Sequence, residues 1–477
     1  MWTILFSTIA LILSFIIIYL LFIKSSAKLP PGPISWPLIG YISCLGTDAF
    51  RKIQQLNKIY GDIVSFQVLG KTIIILYNYD LINEAANENR SKVGRYTMTV
   101  NDLLAENSGI SNYDTPKALE MRKALLRLIH NNIKTAEEHE GTKLHPIISQ
   151  NIINAQINEL IRQLRIRQGK PVNVLQLVRC TVWRIIWNLV FGKECQLTDK
   201  QISNILDDIS SNNLQNQLFQ TRQLLPRFCV NIFRHSQFAR KLFDIEEILQ
   251  KHKTVRQLID SNVGDIYNSD SLLGQLINDS KLNLTKNDIS RLSFELMAAG
   301  TDTTSLTLTW ACDYLTRAPP KESFKLSSDV IDMIHRWASV VPLSLPHIAR
   351  ESFMLKNYSI PKSSILIYNL YAVHNSQLKK LTNTGQKSYE IQESDKPIPF
   401  SLGSRSCPGA RIATILIEQI LTAINQEFLI QNITQSPFQT IRPGNQESLT
   451  PFGITRIPHK SMYIFVTKLN GTRRTSI

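Results

Sequence analysis

Toward its C-terminal end the chain reads Pro399-Phe400-Ser401-Leu402-Gly403-Ser404-Arg405-Ser406-Cys407-Pro408-Gly409-Ala410, directly before an apolar helical stretch from Ile412 to Phe428. Each position has a chemical reason. Cys407 stands where a helix begins, and there the macrodipole and free backbone N–H groups favour a thiolate. A bound metal would favour it further. Gly403 and Gly409 allow tight turns and close backbone approach. Pro408 suits a first helical turn, whose N–H would be unpaired anyway. Arg405 offers a cation beside the thiolate or for a carboxylate of a bound group. Phe400 is flat and can cover an aromatic ring. A buried structural cysteine does not explain why these neighbours occur together.

A second irregularity lies upstream. Thr285 and Asp288 form a capping-box-like start. The apolar positions Leu292, Phe294, Leu296, Leu306 and Leu308 predict a helix running toward Pro319-Pro320, which stop it. Its middle, Ala298-Ala299-Gly300-Thr301-Asp302-Thr303-Thr304, is poor in helix formers. Glycine alone costs about 1 kcal/mol there against alanine. Either close helix packing at Gly300 or a functional site accounts for such a break in local rules.

The 477 residues suffice for a large core. Residues 1–23 carry no charge and are followed by Lys24 and Lys28. This predicts a single transmembrane anchor with the remainder in the cytosol; a cleaved signal peptide is the other reading. Residues 24–40, basic and with Pro30-Pro31-Gly32-Pro33, read as a stiff hinge, and 41–477 as one domain. Strands are expected at Ile63–Val68 and Thr72–Tyr77, with mostly helix from about residue 116. The fold class is mainly α, with one small sheet near the N-terminal side. Leu224, Leu225, Phe228, Ile232 and Phe233, interleaved with Arg222, Arg227 and Arg234, suit a second membrane contact or a core-facing helix with basic flanks. Net charge is +15, which fits an anionic membrane or an acidic partner. It is spread along the chain without a basic-aromatic reader module, so a nucleic-acid role is excluded. Six cysteines without CxxC or zinc spacing read as reduced.

Phe400-x-x-Gly403-x-Arg405-x-Cys407-x-Gly409 resembles the haem-binding loop of the cytochrome P450 family. Ala299-Gly300-x-Asp302-Thr303-Thr304 resembles its oxygen-binding helix, and the anchor and hinge resemble its microsomal members. The resemblance implies a monooxygenase with haem b (iron-protoporphyrin IX) and dioxygen as co-substrate. NADPH electrons would come through a flavoprotein reductase, with cytochrome b5 as a further partner, at the endoplasmic reticulum membrane. It implies Cys407 as the axial thiolate of the haem iron, Asp302 and Thr303 as the proton-delivering pair for dioxygen, and Ala299 and Gly300 as the helix segment facing the haem, Gly300 leaving room for the oxygen. Arg405, His347, Arg95 and Arg122 match the cations that meet the haem carboxylates. Substrate contacts would come from Val100 to Gly109, around Gln217, Ala299, Val341 to Leu345 and near Phe452. Leu345-Pro346-His347 and Asn369-Leu370-Tyr371-Ala372-Val373-His374 are most similar to steroid-hydroxylating and drug-metabolising branches. A lipophilic substrate follows: sterol, steroid, fatty acid or xenobiotic.

The chain departs from that pattern in three places. Ala118 stands where a tryptophan is usual. The Glu-x-x-Arg helix falls on Met333-Ile334-His335-Arg336, without its glutamate, and breaking such a buried pair typically costs roughly 3–5 kcal/mol. Asp332, one turn before Arg336, is a substitute partner. Asp302 and Met333 stand only 31 positions apart, short of the usual span, and the Pro-x-Arg-Phe segment between His374 and Pro399 is missing. A catalytically degenerate haem- or lipid-binding relative, or a haem-thiolate isomerase or dehydratase, are therefore the alternative readings.

Overall fold

The computed structural model describes residues 6–8, 10–15, 28–36, 39–41, 49–138, 150–214, 222, 224–225, 228–263, 270–317, 326–383, 396–432 and 462–467. The helices in chain order are α1 (Ala49–Tyr60), α2 (Tyr79–Asn83), α3 (Thr99–Ala105), α4 (Pro116–Glu138), α5 (Gln150–Ile166), α6 (Val174–Phe191), α7 (Asp199–Leu214) and α8 (Phe228–His235). They continue as α9 (Gln237–Leu242), α10 (Glu246–Val263), α11 (Leu272–Asn278), α12 (Lys286–Arg317), α13 (Ser328–Ala338), α14 (Leu370–Asn383) and α15 (Ala410–Glu427). The stopping prolines 319 and 320, together with Gln217, Arg227 and Phe452, lie outside the described residues.

Helix α12 organises the rest. Its capping box forms as expected: Asp288 Oδ2 accepts the Thr285 N–H at 2.8 Å and Thr285 Oγ1 accepts the Asp288 N–H at 3.2 Å. At 32 residues it spans about 48 Å and packs against α6, α13 and α15. Helix α6 is long and apolar enough to cross a bilayer, yet most of it is buried inside the protein. Its Trp183, Trp187 and Phe191 form a continuous aromatic row, with centroids 6.2 and 4.7 Å apart, in the main core.

Strands β1 (Ile63–Val68), β2 (Lys71–Leu76), β3 (Val93–Arg95), β5 (His347–Ala349) and β8 (Ile365–Tyr368) make a sheet in the order β1-β2-β8-β5-β3. This sheet recruits strands from beyond residue 340, which were not foreseen, because three- and four-residue strands are too short to show alternation. Antiparallel pairing sets Arg95 opposite His347. Strands β4 (Pro171–Asn173), β9 (Phe428–Asn432) and β10 (Met462–Thr467) form a second sheet, and β6 (Phe353–Leu355) with β7 (Tyr358–Ile360) a hairpin. More than one small sheet is present, unlike the expectation. Around α8, Leu224, Val230 and Phe233 are buried, while Phe228 and Ile232 are exposed.

Candidate active site

Cys407 sits on a loop held by its own backbone. Its N–H donates to Phe400 O at 2.8 Å, and that of Ser406 to Gly403 O at 3.1 Å. Gly403 has φ +76°, and a Cβ there would lie 2.2 Å from Ala86 O, so only glycine fits. Gly409 is the N-cap of α15. The helix therefore begins at Ala410, and Pro408 lies in the preceding turn, outside the first helical turn where the sequence reading put it. The Cys407 side chain opens onto a cavity of about 470 Å³. Surrounding protein pushes its thiol pKa up, opposed by the Gly409 N–H and the Arg122 guanidinium.

Around that cavity the structure gathers Arg95, Arg122, His347 and Arg405, all buried. They come from β3, α4, β5 and the thiol loop. Of the two roles open to it, beside the thiolate or toward a carboxylate, Arg405 does not take the first. Its Nη2 donates to Tyr113 O at 2.6 Å and pairs with Asp114; the cation beside Cys407 is Arg122, whose guanidinium donates to Ser404 O and Ser406 O. The Asp114 carboxylate, which also takes the Arg95 N–H at 2.6 Å and Arg350 at 2.9 Å, holds Arg405 and is not among the residues that line the cavity. Burial, then Arg405 and Arg122, lowers the Arg95 pKa to about 9, and burial lowers that of Arg405 to about 10. Burial and Arg95 hold His347 well below its ordinary value.

The Asp114 carboxylate thus takes the Arg405 and Arg350 guanidiniums and the backbone N–H of Arg95, while the guanidiniums of Arg95 and Arg122 meet only backbone carbonyls among the described residues. Arg95 Nε and both ring nitrogens of His347 are buried with no hydrogen-bond partner. Such orphaned polar atoms, the Arg95 N–H and one imidazole N–H among them, are costly unless a partner meets them. A thiol, an excess of buried cations and unsatisfied donors around one cavity fit a planar metal-bearing group with two carboxylates. The residues present therefore suit a haem.

Helix α12 brings Ala299, Gly300, Asp302 and Thr303 to the same cavity as Cys407. Thr303 Oγ1 donates to Ala299 O at 2.7 Å. Asp302 Oδ1 is held by Arg179 Nη2 of α6 at 2.7 Å, and Arg179 also meets Asp207 at 3.1 Å. Sequence reasoning missed Arg179, although a buried arginine in so apolar a helix as α6 was itself the signal that a carboxylate waited nearby. A Cβ on Gly300 would point at Ile186, at an ordinary 3.5 Å. The missing side chain thus faces α6, whereas the resemblance reserved that space for oxygen.

Where the family pattern lacks its glutamate, Arg336 is buried on α13 and Asp332 is half-buried. Burial raises the Asp332 carboxyl pKa while Arg336 opposes the rise. A different brace joins α13 to the thiol loop. Ser339 Oγ donates to Arg336 O at 2.9 Å and meets His374 Nδ1 at 2.8 Å, while His374 Nε2 accepts the Ile398 N–H at 3.0 Å. Since the hydroxyl proton goes to Arg336 O, the imidazole must donate from Nδ1. Burial, Arg336 and His335 lower the His374 pKa to about 3, so the ring stays neutral.

The family model described as Cytochrome P450 matches residues 30–323 and 381–458. The interval between them carries Met333, Arg336 and His347. Among curated proteins, the chain is 24% identical to cytochrome P450 2C23 of Rattus norvegicus, covering 92% of this chain and 95% of that one. It is 25% identical to cytochrome P450 2H1 of Gallus gallus, covering 85% and 88%. Cytochrome P450 2C20 of Macaca fascicularis is 22% identical, covering 97% and 99%.

Proposed function

Because the chain belongs to the cytochrome P450 family, whose members are haem-thiolate monooxygenases, we propose that it oxidises a lipophilic compound in the cavity above Cys407, using NADPH electrons from a flavoprotein reductase. One oxygen atom enters the substrate and the other leaves as water, with two electrons and two protons consumed. The observation that carries this reading is the Cys407 thiol facing a cavity whose buried arginines outnumber their carboxylates.

Bound haem would supply the activation of dioxygen. Cys407 would hold its iron through Sγ, and Arg95, Arg122 and His347 its carboxylates, with Arg405 completing the cation cluster. Phe400, Gly403 and Gly409 shape the loop under that sulfur. Ala299 and Gly300 line the same cavity. Asp302 would carry protons inward when it leaves Arg179, and Thr303 Oγ1, now on Ala299 O, would position them. The apolar lining, among it Leu125, Ile186, Leu189 and Leu416, excludes water and favours a lipophilic body.

We place the domain on the cytosolic face of the endoplasmic reticulum, anchored by residues 1–23 and meeting the reductase, and cytochrome b5, through its positive charge. Support comes from the exposed apolar side chains of Phe6, Leu11, Ile12, Leu13 and Phe15. A second exposed set, Phe228, Ile232, Phe238 and Leu242, sits beside Arg234, Arg240 and Lys241.

Met333 in place of the glutamate favours the other reading, a degenerate haem- or lipid-binding relative. The reduced, carbon-monoxide-bound difference spectrum of the full chain in membranes separates the two. A strongly red-shifted Soret band shows a thiolate-bound haem; a band at the neutral-ligand position, or no haem, rejects the monooxygenase.

A further inference from the structure

The cavity has a second, chemically different end. Along α12, eight residues and about 12 Å before Ala299, Arg291 and Glu295 line it, opposite His252 of α10. Arg291 Nε donates to Glu295 Oε1 at 3.2 Å and Nη1 to His252 Nε2 at 2.9 Å. The guanidinium lies over the Phe294 ring, 5.3 Å from its centroid. Glu295 Oε2 accepts the Ile110 N–H at 2.8 Å. Gly109, at φ +107°, makes that approach possible, since a Cβ there would sit 2.4 Å from Glu295 Oε1.

Two features point to a ligand. Arg291 has only 6% of its side chain exposed and lines the cavity, yet its Nη2 makes no hydrogen bond among the described residues. Both Glu295 oxygens are already taken, so the donor left over calls for an acceptor from elsewhere. The local charge is also unbalanced. Arg291 pairs with the equally buried Glu295, each 6% exposed, while Arg256, 13% exposed and held by Asn287 Oδ1 at 2.9 Å and Ser290 Oγ at 3.1 Å, adds a second cation whose carboxylate partner, Glu106, is 62% exposed. Neutral His252, its pKa lowered to about 3 by burial and then by the two arginines, cannot lessen that excess by losing a proton.

We propose that this end of the cavity binds the carboxylate of an elongated anionic lipophile through Arg291 Nη2, so that the opposite end of the molecule lies over Cys407. This deepens the monooxygenase reading and rests on it only for the site of oxidation. A hydrogen bond to a charged group and a partly desolvated ion pair favour the acid over a neutral head group of equal length.

The test compares lauric acid with lauryl alcohol at neutral pH, by titration calorimetry on the haem-loaded full chain. At least tenfold tighter binding of the acid is expected. Arg291→Gln should bring the acid's Kd to that of the alcohol, and Arg291→Lys should keep part of the preference. Equal affinity of acid and alcohol for the unaltered protein overturns the proposal without any variant being needed. A preference that survives Arg291→Gln overturns it as well. Oxidation products placed near the methyl end are expected; oxidation next to the carboxylate contradicts the proposed orientation. If the carbon-monoxide spectrum rejects a thiolate haem, the monooxygenase reading falls, and the calorimetric comparison still decides the carboxylate site.

Discussion

Thr303 and the two glycines of the site differ in what a single atom does there. Thr303 Oγ1 is parked on Ala299 O, so its removal leaves the helix intact. Thr303→Ala should therefore spare folding and lower the product formed per NADPH consumed. The loss should be on the order of a hundredfold, the lower end of what a positioned acid–base group contributes. Measuring both quantities in one assay checks this, and an unchanged ratio would favour a reaction that does not activate dioxygen. Gly403→Ala forces a Cβ into Ala86 O at a positive φ, and strain of this kind costs about 1–3 kcal/mol. Gly300→Ala meets only Ile186 at contact distance and gains about 1 kcal/mol of helix propensity. Thermal unfolding of the two variants should accordingly move in opposite directions. Equal losses would refute the assignment of Gly300 to the α6 side.

Among the elements, α6 and α12 carry the core between them, and α13, α14 and the thiol loop are tied by His374. Trp187 is 1% exposed and packs between Trp183 and Phe191 in the α6 row; Trp187→Ala should cost about 3–5 kcal/mol, read as a lowered unfolding temperature. His374 has a pH signature. In the unfolded chain its ring protonates below about 6.5, whereas the folded ring stays neutral down to about 3. The unfolded state therefore binds the extra proton, and stability falls as pH drops through that window, by up to about 1.4 kcal/mol per pH unit. Comparing unfolding temperatures at pH near 7 and near 5 should show a smaller drop for His374→Asn than for the unaltered chain. An identical drop would mean that His374 is not a buried neutral brace.

At the scale of the whole molecule, charge and apolar surface act together. With a net charge of +15, and a patch on α8 and α9 that leaves Phe238 76% and Leu242 67% exposed, a chain lacking residues 1–23 should still bind anionic vesicles. High salt should release it, since exposed charges are screened. Replacing Phe238 and Leu242 by serine should weaken what binding persists at high salt; unchanged binding would count against this face as the membrane contact. The cysteine loop, the capped long helix and its Ala299 to Thr303 irregularity were all legible in the chain of letters. Caps, turns and helix stops are decided by residues a few positions apart. The partners of the charges were not. That Arg405 turns to Asp114, that Arg179 holds Asp302, that His374 bridges Ser339 and Ile398, and that Arg291 keeps a free donor at the far end of the cavity, were decided only by the tertiary structure. Burial and ion pairing depend on segments brought together from distant parts of the chain, and a linear pattern holds no record of which charge ends up buried beside which.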